Sequence, residues 1–230
     1  KDAKYEDDKT SISQIAIIHC IIIFMIIFAF SRYFLPYKGA SNGKAIAIPK
    51  GIVTLFGVLA VISFLGEGGM MDWSGVFLTE VKGVDLSLAG VGYAVFSAAM
   101  LIGRLIGDKV VQKLGEQRVV IFGGIVASVG YIISIVFDNF FMMQFGFILL
   151  GFGAANIVPV VFTLLGRQKE MPINSAVTAV TSMGYLGVMF GPALLGFIAH
   201  GIGIVAVFCI LAGLFILQAI VSSYVFKVLN

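Results

Sequence analysis

Charged residues are what this chain has least of. They make up 12% of its 230 residues, against about a quarter in a water-soluble domain. Hydrophobic residues fill 60% of the sequence and the mean hydropathy is +1.07. Too few charges remain to coat a surface facing water, so the solvent must be largely lipid. Cysteine is nearly absent. Cys20 and Cys209 both lie inside apolar runs, where each reads as a small buried hydrophobe, and a secreted disulfide scaffold is excluded. Polar sequence is too sparse for a disordered chain, and no basic patch supports a nucleic-acid partner. No GxxxxGK(S/T) phosphate loop occurs, which excludes ATP hydrolysis within this chain. The two histidines, His19 and His200, show no metal-ligand spacing, and no Ser-His-Asp or Cys-His arrangement can be drawn. Neither a cofactor, a metal nor an enzymatic activity is expected.

What the chain has instead is long uncharged runs. Crossing a hydrocarbon core of about 30 Å takes roughly 20 helical residues. Stretches free of Asp, Glu, Lys and Arg occur at 10–31, 51–66, 86–103, 119–137, 139–166 and 171–226. The last is too long for one crossing and breaks most naturally between Gly196 and Gly203, with His200 in a short external turn. Seven helices follow, at about 12–35, 51–72, 86–107, 117–137, 139–165, 174–198 and 202–226. None shows the strict alternation of a membrane β-barrel. The expected fold is an all-α integral membrane helical bundle.

Loop charge gives an orientation. One side receives 32–50, with Arg32, Lys38, Lys44 and Lys50 and no acid, together with 104–118, 167–170 and Lys227. The other collects Asp2, Glu6, Asp7, Asp8, Glu67, Asp72, Glu80, Asp85 and Asp138. By the positive-inside rule the basic side is cytoplasmic, so the chain enters from outside at Lys1 and ends inside at Asn230. The charged opening stretch Lys1–Lys9 has no initiator Met and no signal peptide. It reads as the continuation of something longer.

The most informative motif runs from Gly103-Arg104-Leu105-Ile106-Gly107-Asp108-Lys109 to Gly115-Glu116-Gln117-Arg118. It resembles the conserved cytoplasmic loop of the major facilitator superfamily, which lies between helices 2 and 3 and, in weaker form, between helices 8 and 9. Gly103 and Gly107 make a GxxxG pair that lets helices approach closely. Asp108 can cap a helix or pair with a cation, and Lys109 and Lys113 anchor the cytoplasmic side. Lys109 stands where Arg is usual and Gln112 where a charge is common, which suits the looser second copy of the loop. Glu67-Gly68-Gly69-Met70-Met71-Asp72-Trp73-Ser74 is similar to a helix 7 signature of a bacterial subgroup distantly similar to fucose permeases. Gly191-Pro192-Ala193-Leu194-Leu195-Gly196 resembles the Gly-Pro segment of helix 11. The resemblance implies helices 6 to 12 of a twelve-helix transporter. Residues 1–35 would then be an external segment and helix 6, 36–50 a cytoplasmic linker between the halves, and 51–230 a six-helix bundle. It further implies two halves rocking about a midplane site, with Gly103, Arg104, Gly107, Asp108, Lys109 and Gly115 in the gating loop.

Several polar residues stand out along the helices. Glu67 falls inside a span, where a carboxylate ordinarily faces a water-filled cavity and handles protons, ions or solute; alternatively the helix ends near Gly66 and Glu67 lies at the interface. Asp72 reads as interfacial and Trp73 as an aromatic-belt anchor. Ser175, Thr178, Ser182 and Tyr185 recur at spacings of three, four and three, which puts them on one helical face. That face either lines a pathway or hydrogen-bonds to a neighbouring helix. Asn156 and Pro159 suggest a kink whose freed carbonyls need a polar partner, and Tyr93 could serve either as a packing residue or as a contact. The substrate-pathway and coupling candidates are therefore Glu67, Asp72, Tyr93, Asn156, Thr178, Ser182 and Tyr185.

Together these features predict a proton-coupled secondary transporter of a small solute, working by alternating access in a bacterial inner membrane. Its partners would be the solute, protons, the lipid bilayer and an N-terminal half of the same chain. The alternative is a non-transporting sensor or assembly subunit built on the same fold.

Overall fold

The computed structural model describes residues 47–229, together with seven residues between 18 and 29. The chain divides into two units, Lys1–Asn42 and Gly43–Asn230. In the first unit the described residues, Ile18 to Ala29, are helical and exposed. The ends of the helix expected at 12–35, the linker from 36 to 46, His19 and Cys20 lie outside the described residues.

In the second unit every regular element among the described residues is helical. Helix α1 spans Ile52–Val76 and runs directly into a π-helical turn, Phe77–Val81. A short 3-10 turn, Leu86–Leu88, precedes α2, Val91–Leu105. Then come α3, Gly107–Leu114; α4, Glu116–Val136; α5, Phe140–Ala154; α6, Ile157–Leu165; α7, Ile173–Ile202; and α8, Ile204–Leu229. Among the described residues six spans are long and apolar enough to cross a membrane: Ile52–Val81, Leu86–Leu105, Glu116–Val136, Phe140–Leu165, Ile173–Ile202 and Ile204–Leu229.

Three expectations need correction. The second helix does not end near residue 72 but continues to Val81: residues 73–79 (Trp73 to Thr79) carry no charge or proline, and Gly75 stays helical within an apolar stretch. The stretch 103–118 is not a simple turn. Its middle is the amphipathic helix α3, which rests Val110 and Val111 on the core and leaves Asp108, Lys109, Gln112 and Lys113 exposed. Helix α7 passes straight through Pro192 and Gly196, so His200 lies in its last turn and the chain reverses only at Gly203, where φ is +89°. Gly115 does the same between α3 and α4 with φ +84° and ψ 150°, a conformation essentially confined to glycine that costs other residues about 1–3 kcal/mol.

In lipid the helices cannot be driven together by hiding apolar surface, so close backbone approach matters more. Helix α4 packs on α5 and α8, α2 on α5, and α1 on α7 and α8. At the α4–α5 seam, a Cβ on Gly130 would lie 2.5 Å from the carbonyl oxygen of Gly146. The core sits where α1, α4 and α8 meet. Phe77 stacks on Phe208 at 4.2 Å between ring centroids, and Tyr131 meets Phe208 edge-on at 5.3 Å. The Tyr131 hydroxyl donates to the Gly66 carbonyl at 2.9 Å, so this buried ring is satisfied at both its apolar and polar ends.

Candidate functional site

Glu67 stands near the middle of the Ile52–Val81 span, one turn from Ser63, and its side chain is 20% exposed. The reading in which α1 ends near Gly66 is excluded, since the helix continues well past it. A carboxylate at that depth requires a partner, and Arg104 of α2 supplies one. Arg104 Nη2 lies 3.4 Å from Glu67 Oε1 and 3.3 Å from Oε2.

The same guanidinium donates from Nε to the carbonyl of Ala155 at 3.4 Å. The geometry has a local cause. Within a helix the Ala155 carbonyl would accept from the N–H of residue 159, and residue 159 is proline, which has none. The helix breaks at Ala155 and Asn156 between α5 and α6. Arg104 fills the vacancy, and the Asn156 side chain donates from Nδ2 to the Gly103 carbonyl at 3.0 Å. The kink expected at Asn156 and Pro159 is therefore present, and its polar partner is the first arginine of the loop motif. Gly103 and Gly107 seat α2 and α3 on this break. A Cβ on Gly103 would come to 2.7 Å from that of Ala155, and one on Gly107 would collide with the Asn156 side chain.

Beside the ion pair lies a cavity of about 370 Å³ between α1 and α2, lined by Phe64, Glu67, Met71, Tyr93, Met100 and Arg104 among others. Its wall is mostly apolar with one charged pair in it, the usual make-up of a small-molecule site. Helix α7 contributes only Val188. The polar face of α7 does not converge on this cavity. Thr178 donates to the Asn174 carbonyl of its own helix at 2.9 Å, Ser182 is exposed, and Tyr185 is exposed and stacks on Phe64 at 6.2 Å. Tyr185 thus meets the lining residue Phe64 without itself lining the cavity.

Asp72 is exposed and lines a second cavity along the continuing helix. Trp73 is half-buried against the core, and its Nε1 is buried without a hydrogen-bond partner among the described residues. The remaining loop residues serve the basic end. Asp108 lines a cavity of about 220 Å³ with Glu116, Asn156 and Thr163. Lys109 is exposed, and Gly115 makes the α3–α4 turn.

Three contacts escaped the sequence reading. Arg167 pairs with Glu116 through both guanidinium nitrogens, at 2.7 and 2.8 Å. Glu170 accepts from the N–H of Ile52 at 3.1 Å and so caps α1 from the α6–α7 loop. At the opposite end Lys82 donates to Asp138 and to the Ile135 carbonyl, both at 2.7 Å. Nearby, Asp85 caps its 3-10 turn, and the bonds it accepts from Ser87 hold its carboxyl below the usual range. No group of three or more metal-binding side chains occurs among the described residues.

A six-span helical bundle with an ion pair at mid-depth, tied to a proline break and facing a cavity, defines a polytopic membrane protein of transporter architecture. The family model of the Major Facilitator Superfamily matches residues 57–229, and the chain belongs to that superfamily. An uncharacterized MFS-type transporter of Yersinia pestis is 42% identical over 181 residues, which covers 78% of this chain and 47% of that protein. Membrane protein MosC of Rhizobium meliloti is 31% identical over 65% of this chain and 37% of its own length. Among solved structures, the crystal structure of tetrameric PepTSo2 superposes with a TM-score of 0.60 at 19% identity, covering 77% of this chain and 40% of that one. That likeness concerns the fold. The chain spans about half the length of the first of these relatives, and less of the others.

Proposed function

We propose that this chain forms the C-terminal portion of a secondary active transporter that moves a small solute by alternating access, with Glu67 as the proton-coupling group. The observation that carries this reading is the Glu67–Arg104 pair at mid-span, bonded to the broken helix. The ion pair joins α1 to α2, and Arg104 joins both to the α5–α6 break. Protonation of Glu67 removes the negative charge and frees one arm of Arg104, while the other stays on the Ala155 carbonyl. The bond between α1 and α2 then weakens, and the cavity between them can open. A two-state element biased by one proton is what coupling requires. The gating loop takes its part through Gly103 and Gly107, which transmit movement of α2 to α3 and the Asn156 contact. The basic end faces the cytoplasm of a bacterial inner membrane in this reading; C-terminal reporter fusions active only in the cytoplasm check it.

The test uses the full-length protein in proteoliposomes, screening sugars, small metabolites and drug-like compounds for solute-driven change of internal pH. Glu67→Gln should keep solute exchange and lose proton movement. Wild-type proton coupling in that variant would remove Glu67 from the mechanism.

A further inference from the structure

The groove between α1 and α2 does not stop at the ion pair. Met71 and Tyr93 line the first cavity and also a second one, of about 400 Å³, that continues toward the Lys82 end. Asp72 is the only charged residue lining it. Five residues beyond Glu67, Asp72 lies about 7.5 Å further along the helix axis, still inside the apolar Ile52–Val81 span, and its side chain is exposed in the groove. The two cavities differ in charge. In the first, Arg104 balances Glu67; in the second nothing balances Asp72, which has no ion pair or hydrogen bond among the described residues. Of the cations near that end, Lys82 is committed to Asp138 and the Ile135 carbonyl. The hydroxyl of Thr79, also in the wall, is turned back onto the Gly75 carbonyl of its own helix at 3.1 Å.

We infer that Asp72 and Tyr93 form a recognition subsite for a small organic cation, an amine or quaternary ammonium, on the groove that leads to Glu67 and Arg104. A carboxylate at this depth is costly unless something positive meets it. A partly exposed aromatic ring in the same wall adds attraction through its face. Apart from Ser74 and Thr79 the rest of the wall is apolar, with Met71, Val76 and Leu86 in it, and suits an organic body. A metal ion is a poor fit, because one carboxylate is the whole acidic complement of the cavity. As a statement about transported solute, the inference rests on the proposed function; as a statement about binding, it stands alone.

The experiment is equilibrium binding of radiolabelled benzyltrimethylammonium to the full-length protein in lipid nanodiscs, with neopentylbenzene, its neutral isostere, as competitor. Saturable binding is expected that neopentylbenzene does not displace. Asp72→Asn should weaken it by about tenfold or more, and Tyr93→Leu by roughly threefold to tenfold, with Tyr93→Phe near wild type. Glu80→Gln removes an acid at the same end without touching the cavity and should change little. Equal binding by Asp72→Asn that elutes as folded protein overturns the subsite, as does displacement by the neutral isostere or absence of saturable binding. Intact cation binding without proton-linked solute movement would instead overturn the transport reading and leave the subsite standing.

Discussion

Arg104 combines two bonds that a single point charge cannot. Its Nη2 reaches Glu67 on α1, while Nε serves the Ala155 carbonyl at the α5–α6 break. Lysine keeps the charge but offers one nitrogen at the end of a flexible stem. Arg104→Lys is therefore expected to abolish proton coupling in proteoliposomes and to cost about 1 kcal/mol of stability, read as a lower Tm in detergent. Coupling and Tm both unchanged would mean that only the positive charge counts. At this scale the sequence shows Glu67 clearly, because it interrupts an uncharged stretch. It shows Arg104 only as the first charge after 86–103, which reads as the start of a loop. What joins them is helix register across 37 positions, and no local pattern encodes that.

Among the elements, the break between α5 and α6 is the one that the proposed alternating access would use as a hinge. Pro159 removes a donor, and Arg104 of another helix supplies one. Pro159→Ala should let α5 and α6 fuse, with a gain of about 1–2 kcal/mol in stability. Turnover should fall while equilibrium affinity for the solute holds; unchanged turnover would show that the break does not act as a hinge. This element was legible, since proline and asparagine announce themselves. The continuation of α1 into the turn Phe77–Val81 was not, because Asp72 and Gly75 both imitate a helix end that the apolar stretch around them overrides. Pro192 misleads in the opposite direction: α7 runs on through it, although proline has no N–H to offer the carbonyl of Val188.

For the whole molecule, the six spans among the described residues and their order were readable from hydropathy, but neighbours were not. Lipid-facing and core-facing side chains are both apolar here, so the pattern that orients a helix in a soluble protein is missing. Glycines such as Gly130 and Gly146 carry that information, and they become interpretable only in pairs. The far end of the bundle is fastened by Lys82, whose side chain is 6% exposed while that of its partner Asp138 is 89% exposed. Much of the fastening must therefore come from the Ile135 carbonyl and the Phe77 ring, 5.7 Å from the ammonium. Lys82→Ala should destabilise the protein by about 1–2 kcal/mol, whereas Asp138→Asn should leave Tm near wild type. Equal losses would assign the effect to the ion pair.

The carbonyl that Pro159 leaves open makes three helices depend on one another in heredity as well as in space. A chain that loses Arg104 keeps a buried acid and an orphaned acceptor, and each is tolerable only if its own cause is removed. Selection for restored expression in an Arg104→Gln background should accordingly return second-site changes at 67 and 159 ahead of changes elsewhere, and the triple replacement should fold better than the single one it repairs.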